Sequence, residues 1–405
     1  MTMATKSVKP WWLVVLAAAS IAGIGMGLRQ VMGLYMKPVT MELGIGREQF
    51  SLAIAIANIS WGLAAPVFGA ISDRYGAARV AVLGALSTAM GLYLTYLAKS
   101  DVQLYLAGAF LGLGVAGAGV GAMVGAVARA VPAELRTQAI AALGMGSGIG
   151  ILLALPYTHI LIEQLGWQKS LLALTATAFL MLPLALVVAG KPEGAQSGAY
   201  SQTLGEALHE AVRQPSFWLL NAGFFVCGFH VVFYGTHLPA YVADKGLDGR
   251  VAVTALTAVG LGNLIGTYLA GQSARFMPKR YGLSLIYLGR AFVFLGFLFL
   301  PVTPTMIIGL SAALGLLWLS TVPLTSGLVG TFFGPQWMTM LYGVVFLSHQ
   351  AGSFLGVWAG GRVFDVTKSY DAMWWISVAL GIFGALIHLP IKERAVERPR
   401  LLAAE

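Results

Sequence analysis

The sequence predicts an all-α integral membrane protein: twelve transmembrane helices in two pseudo-symmetric six-helix bundles. Three observations carry that prediction. Of 405 residues, 58% are hydrophobic and only 10% are charged, a balance that chains folding in water do not show. Apolar runs of about 20 residues or more, each enough to cross a hydrocarbon core of about 30 Å, recur along the whole length. One polar interval divides them six and six, and the same landmarks return on either side of it.

Span 1, at 11–36, follows two lysines, but it is too long for a secretory signal and lacks a clear cleavage site, so it is read as retained. Spans 2 and 3, at 48–72 and 79–98, flank a short polar loop. Spans 4 and 5, at 102–128 and 137–162, are rich in glycine, as in Gly144-Met-Gly146-Ser-Gly148-Ile-Gly150. Small residues let helices approach closely in lipid, and two such smooth faces can also slide. Span 6, at 168–189, ends at the polar interval 190–215, which reads as a cytoplasmic linker with a short amphipathic helix from Leu204 to Arg213. Spans 7 to 12 follow at 216–242, 251–274, 283–301, 304–333, 338–361 and 372–391. The expected units are thus a first bundle at 1–189, the linker at 190–215 and a second bundle at 216–405. Gly27-Leu28-Arg29 precedes Pro38 by the spacing with which Gly228-Phe229-His230 precedes Pro239, and Arg74-Tyr75-Gly76 returns as Arg280-Tyr281-Gly282. Spans 1 and 7 are therefore counterparts.

The net charge of +9 does not point to nucleic acid once it is mapped on the loops. With the N-terminus inside, 15 basic residues fall in inner loops and 8 in outer ones, which places both termini in the cytoplasm. The single cysteine, Cys227, excludes an internal disulfide and any cysteine-built metal centre. All 16 acids lie in loops or at helix ends, so a buried carboxylate of the kind that often carries a coupling proton is missing.

Gly69-Ala-Ile-Ser-Asp73-Arg74-Tyr-Gly76-Ala-Ala-Arg79, between spans 2 and 3, resembles the loop signature of the major facilitator superfamily. The resemblance covers essentially the whole chain and implies two six-helix bundles around a central cavity, with Asp73, Arg74, Gly76 and Arg79 acting at the inner gate. In the second copy Lys279 stands where the acid would be. Arg29-Gln30-Val-Met-Gly-Leu-Tyr-Met-Lys-Pro38 and Ser348-His349-Gln350-Ala-Gly-Ser353-Phe-Leu-Gly356 are similar to bacterial members of the monocarboxylate and oxalate/formate porter group. That likeness puts His349 where oxalate exchangers bind the substrate anion with a lysine. The arginine that such relatives often carry in span 8 is absent from Asn263-Leu-Ile-Gly266-Thr267.

Arg29 lies about midway along span 1, where a guanidinium costs about 2.5–3.5 kcal/mol and needs a partner. Helix-end carbonyls with water, or an anionic solute, could supply one; a planar fork of donors suits a carboxylate. His230 has the equivalent depth in span 7, with Cys227, Tyr234 and His237 at spacings that share its face; together they suggest a cavity wall, with His237 towards the outer end as a gate residue. His349, with Tyr342 and Ser353 on its face, sits near the middle of span 11. Either His230 or His349 could titrate near neutral pH and replace the missing carboxylate as proton carrier. Asn58, Asn263 and Trp318 complete the expected substrate-binding set with Arg29, Gln30, Tyr234 and the two histidines; interhelical hydrogen bonding is the other reading of the two amides. Arg290 is expected to snorkel to the membrane surface.

The expected function is secondary active transport of a small organic anion, a monocarboxylate under the resemblance, by alternating access with proton symport. The alternative is an anion exchanger or a proton-driven exporter, because Gly144–Pro156 resembles the antiporter signature of drug exporters. No cofactor, metal or nucleic acid is expected. Neighbouring Ser348 and His349 point apart on a helix and form no catalytic pair, so no enzymatic reaction is expected either. The chain is expected to act as a monomer in a bacterial inner membrane, with the bilayer, a proton and the solute as its partners.

Overall fold

The computed structural model describes residues 10–132, 135–189, 203–334 and 337–396. Among these, all regular structure is helical. Eleven segments are long and apolar enough to cross a membrane, and one of them, Gln138–Val187, is 50 residues long and contains predicted spans 5 and 6. Its helix turns at Gly166, where φ is 76°, a left-handed value that glycine adopts without steric cost. The twelve predicted crossings are therefore all present. The end of the molecule that carries the helix Leu204–Arg213 is the linker side, and the opposite end is the distal side.

Several spans are broken where their sequence is rich in small residues or where partners hold the break open. Span 1 runs as Trp11–Gln30, a 3₁₀ segment Val31–Tyr35, and Met36–Leu43, longer than its apolar run indicates. Span 4 is interrupted at Gly119, between Asp101–Ala118 and Val120–Ala130. Span 10 is interrupted between Pro304–Leu316 and Thr321–Phe333. The other spans are single helices: Arg47–Tyr75, Ala77–Leu97, Pro215–Asp244, Gly249–Ser273, Lys279–Phe299, Met338–Thr367 and Asp371–His388. Of the predicted linker, residues 190–202 lie outside the described residues. Its amphipathic helix is present as Leu204–Arg213, started by a capping box between Thr203 and Glu206. The Thr203 backbone N–H holds the exposed Glu206 carboxyl below its ordinary range.

Several glycines of spans 4 and 5 serve close packing within the first bundle. A Cβ on Gly108 or Gly112 would strike the span 2 backbone at Ala53 or Ala57, and one on Gly150 would strike the span 1 backbone at Gly23. By contrast, Gly144 has nothing within 4 Å. Gly150→Leu is therefore expected to drive spans 1 and 5 apart, with a loss of about 2 kcal/mol or more, read as a lower thermal unfolding midpoint in detergent. Gly144→Leu, the control, should leave the midpoint unchanged or raise it, since it also removes a helical glycine.

The two bundles meet along spans 2 and 11, along spans 5 and 8, where Gly148 meets Leu264 and Gly260 meets Leu152, and where span 1 crosses span 7. Gly33 lies against the carbonyls of Gly235 and Thr236, too close for any side chain. Spans 2 and 11 touch from Arg47 and Gly361 at the distal end to Gly62, which meets Gln350 and Leu347. One heptad further, Gly69 has no neighbour within 4 Å, and neither has Gly343 across from it. The tight contact of these two spans thus lies towards the distal side, and the space beside Gly69 and Gly343 lies towards the linker side.

Candidate functional site

Arg29 projects from the middle of span 1, at the level where spans 2 and 11 begin to part. Its Nη2 donates to Asn58 Oδ1, and its guanidinium stands 5.2 Å from the Trp61 ring centre. The orientation of the Asn58 amide is fixed, because its Nδ2 must donate to the Ile54 carbonyl at 2.8 Å. Among the described residues no acid pairs with Arg29. The remaining fork is therefore available to an anion.

Across the bundle interface, Gln350 Nε2 donates to the Asn58 carbonyl at 3.2 Å, and Gln350 Oε1 lies 3.1 Å from His349 Nδ1. Since the carbonyl accepts only from the amide nitrogen, Oε1 must face the histidine, and Nδ1 must carry a proton. Trp61 meets Phe346 edge-on at 5.1 Å, and Phe346 stacks on His349 at 5.8 Å. A polar chain and an aromatic chain thus both join Arg29 to His349. Distal to Arg29, between Met32, Gly33 and Thr236, remains a cavity of about 30 Å³, enough for water but not for a solute. Gln30 and Trp318 flank Gly235 beside it.

Three expected site residues face elsewhere. His230, Tyr234 and His237 do share a face of span 7 as the spacing indicated, but that face turns into the second bundle's own core. His230 Nε2 donates to the Ser377 carbonyl at 3.0 Å and its ring packs on Phe294; Tyr234 bonds Ser311 at 2.6 Å. Neither reaches the Arg29 opening. Asn263 is committed to the break in span 10: its Oδ1 accepts from the Leu319 backbone at 3.0 Å and from Thr267 at 3.2 Å.

Arg290 corrects the reading of a snorkelling surface arginine. It is 1% exposed and reaches inward because the same break leaves carbonyls free: Nε and Nη2 donate to Leu317 at 3.1 and 2.7 Å, and Nη2 also to Trp318. A cation at the C-terminal end of Pro304–Leu316 is favoured by the helix dipole.

The distal closure is an ionic cluster that joins the bundles. Arg47, at the start of span 2, pairs with Asp244 at the end of span 7 at 2.6 Å, donates to the Tyr370 hydroxyl at 2.9 Å and lies 3.7 Å over the Phe364 ring. Asp365, from span 11, accepts the backbone N–H of both Arg47 and Glu48, at 3.0 and 2.7 Å. Glu48 in turn takes Arg362 at 3.0 Å and Trp358 at 3.2 Å. His237 Nε2 donates to the Val357 carbonyl at 2.9 Å, so its Nδ1 accepts from Tyr370. Burial pushes the Tyr370 hydroxyl above its ordinary value, which keeps it protonated for that role. His237 thus belongs to the closed distal end, as its position in span 7 indicated. In the sequence alone, the charges of this cluster look like ordinary loop charges.

On the linker side, Gly76 has φ 93°, which explains the glycine of the loop signature. Arg74 and Arg79 flank the Tyr75 ring at 5.3 and 5.6 Å; the Asp73 side chain lies outside the described residues. In the second copy, Glu393, beyond span 12, supplies the acid that Lys279 displaced. It accepts from the Arg280 backbone at 2.7 Å and pairs with Lys279 at 3.9 Å.

The model of the Major Facilitator Superfamily matches residues 15–357. Monocarboxylate transporter 11 of Mus musculus is 26% identical over 400 residues, covering 93% of this chain and 86% of its own. Sialic acid transporter NanX of Escherichia coli (strain K12) is 26% identical over 381 residues, with 87% and 90% covered. Among solved structures, a D-xylose-proton symporter superposes with a TM-score of 0.71 at 16% identity, covering 94% of this chain and 98% of that one. A bacterial homologue of the human lysosomal transporter Spinster, inward-facing and unoccupied, gives 0.70 at 15% identity, with 95% and 94% covered. With twelve crossings, two bundles, a loop signature and a family match over most of its length, the chain belongs to the Major Facilitator Superfamily of multi-pass membrane transporters.

Proposed function

We propose that the protein imports a small organic anion, a monocarboxylate, across a bacterial inner membrane by proton symport, with no enzymatic step. The observation that carries the reading is Arg29: a mid-membrane guanidinium held by a neutral amide and an aromatic ring, with no acid to offset it among the described residues. Two relatives named for carboxylic acids, the monocarboxylate and sialic acid transporters, support the same class of solute. In this reading the linker side faces the cytoplasm and both termini lie there, the side that the excess of basic loop residues favours. The units 1–189 and 216–405, joined by the linker at 190–215, rock about the contact of spans 1 and 7.

The anion sits on Arg29 between Trp61, Phe346 and Gln30, with Trp318 nearby. His349, the histidine linked to Arg29 through Gln350 and Asn58, is the proton-carrying group in this reading. A proton and an anion bound at linked groups each promote binding of the other. A proton moving down its gradient then draws the anion inward.

Uptake of labelled carboxylates into proteoliposomes tests this. An imposed inward proton gradient should raise initial uptake about tenfold over no gradient, and a protonophore should remove the increase. Uptake that ignores the protonophore but requires internal carboxylate would replace symport by exchange.

A further inference from the structure

Gln350 is fully buried on span 11, and through it the second bundle bonds to Asn58, the residue that holds Arg29. Its Cβ and Cγ lie against Gly62 of span 2, where an added methyl would come within 3.0 Å of both. A glutamine amide has one donating and one accepting end. The Asn58 carbonyl takes the donor at 3.2 Å, which turns the acceptor to His349 Nδ1 at 3.1 Å. In histidine the hydrogen bond made by one ring nitrogen sets which of the two carries the proton. The proton position on His349, in the second bundle, is thus decided by a carbonyl of the first.

The one further partner of Nδ1 among the described residues is weak. Ser353 Oγ gives its hydrogen to the His349 carbonyl at 2.9 Å and stands 3.4 Å from both Nδ1 and Gln350 Oε1, beyond the usual hydrogen-bond range. Phe224 and Phe346 pack on the ring, with centres at 4.9 and 5.8 Å. The titratable and charged groups nearby lie on spans 1, 7, 9, 11 and 12. The Cys227 thiol of span 7 donates to the Trp318 carbonyl at 3.9 Å, and His230 of the same span donates to Ser377. Arg290 of span 9 binds the Leu317 and Trp318 carbonyls, and His388 of span 12 stacks on Tyr287. Tyr342 of span 11 stands beside Phe224, and Arg29 of span 1 is reached through Trp61 and Phe346.

We infer that Gln350 is a positioning residue that ties the proton on His349 to the contact between the bundles. While Asn58 is within reach, the amide keeps its acceptor on Nδ1 and the proton stays there. When spans 2 and 11 part, the amide is free to turn and its Nε2–H donates to Nδ1. The imidazole then gives up its Nδ1 proton to water entering the parted interface and takes one from it on Nε2, so the ring charge is unchanged. Conversely, a proton arriving on Nδ1 turns the amide back, presents its N–H to Asn58 and favours the joined bundles. Proton binding and bundle movement are linked through this one side chain. The inference rests on the symport reading and names the residue that transmits it.

Nitrogen NMR of isotope-labelled histidine side chains, on the full protein in liposomes, separates a ring nitrogen bearing a proton from one bearing a lone pair. The His349 signals are those lost in His349→Gln. Neutral His349 should carry its proton on Nδ1 in the wild type and mainly on Nε2 in Gln350→Met, which keeps the side-chain length and removes both ends of the amide. Gly62→Ala keeps every polar group but sets a methyl 3.0 Å from the Gln350 stem, and should give a mixture. Gradient stimulation of carboxylate uptake should fall from about tenfold to below about twofold in Gln350→Met, and by less in Gly62→Ala. Carboxylate exchange without a gradient moves no net proton and should fall much less, whereas a merely structural glutamine would lower both alike. An unchanged tautomer in Gln350→Met, or gradient stimulation that survives it, overturns the role of Gln350 and leaves symport standing. Wild-type uptake that ignores the proton gradient overturns the symport reading, and the coupling role with it.

Discussion

Arg29→Gln is expected to reduce carboxylate uptake at least a hundredfold and to leave the protein as stable as before or more stable. The first half follows from the anion's side. A charge-assisted hydrogen bond is worth about 1.5–3 kcal/mol, and a carboxylate taken out of water without its partner loses more; about 3 kcal/mol corresponds to more than a hundredfold. The second half follows from the empty protein, where the guanidinium has only Asn58 and Trp61 to offset its burial among the described residues. A glutamine amide can still donate to Asn58 Oδ1, and removing the charge removes an insertion cost of about 2.5–3.5 kcal/mol. Arg29→Lys, which keeps the charge but loses the planar fork, should fall between, about tenfold down. Initial uptake rates and thermal unfolding midpoints measured on the same preparations separate this from a merely structural arginine, whose loss would lower both. Unchanged uptake in Arg29→Gln would end the anion reading.

The features legible in the sequence are those that depend on one residue's depth in one span. Arg29 could be placed because a charge in the middle of an apolar run stands out, and Asn58 and His349 because the spans containing them could be bounded. Orientation was less legible. Helical spacing put His230, Tyr234 and His237 on one face of span 7, correctly, but nothing in that spacing states which neighbour the face meets. It meets Ser377, Ser311 and Tyr370. Arg290 was misread because its inward direction depends on carbonyls freed at Leu317 and Trp318, and the residues of that break, Leu317 to Ser320, include neither glycine nor proline. At Gly166 the connection read between spans 5 and 6 is as short as a single residue: the backbone leaves helical values there and two helices meet across it. The distal cluster was out of reach for a third reason. Arg47 and Asp244 are 197 positions apart and Arg47 and Asp365 318, and charges at span ends otherwise look like ordinary loop charges.

That cluster supports the second large effect. Asp244→Asn is expected to shift the protein toward a state open on the distal side, increasing the reaction of a buried marker with an impermeant thiol reagent at least tenfold. Ser51→Cys is a suitable marker: Ser51 is fully buried one turn inside Arg47, against His237, and the native Cys227 is equally shielded. In the wild type the Arg47 guanidinium is almost enclosed, between Phe364, Tyr370 and Asp244, so neutralising the acid leaves a desolvated cation without its counter-charge. Breaking such a pair costs about 3–5 kcal/mol when it is fully buried. Asp244 is 26% exposed, and Lys37 lies 3.7 Å away, so water and the changed cation balance reduce the effect; about 1.4 kcal/mol already gives tenfold. The distal-open state relieves the cost by hydrating Arg47, and the closed state has no comparable remedy. Asp365→Ala should act in the same direction, because it removes the acceptor for two N–H groups at the start of span 2, where the helix dipole favours a negative charge. Arg47→Asp combined with Asp244→Arg should restore slow labelling if the ion pair itself holds the bundles together. Labelling that stays slow in Asp244→Asn would show that apolar contacts of spans 1, 2, 7 and 11 suffice for closure, and that the charges serve only to align them.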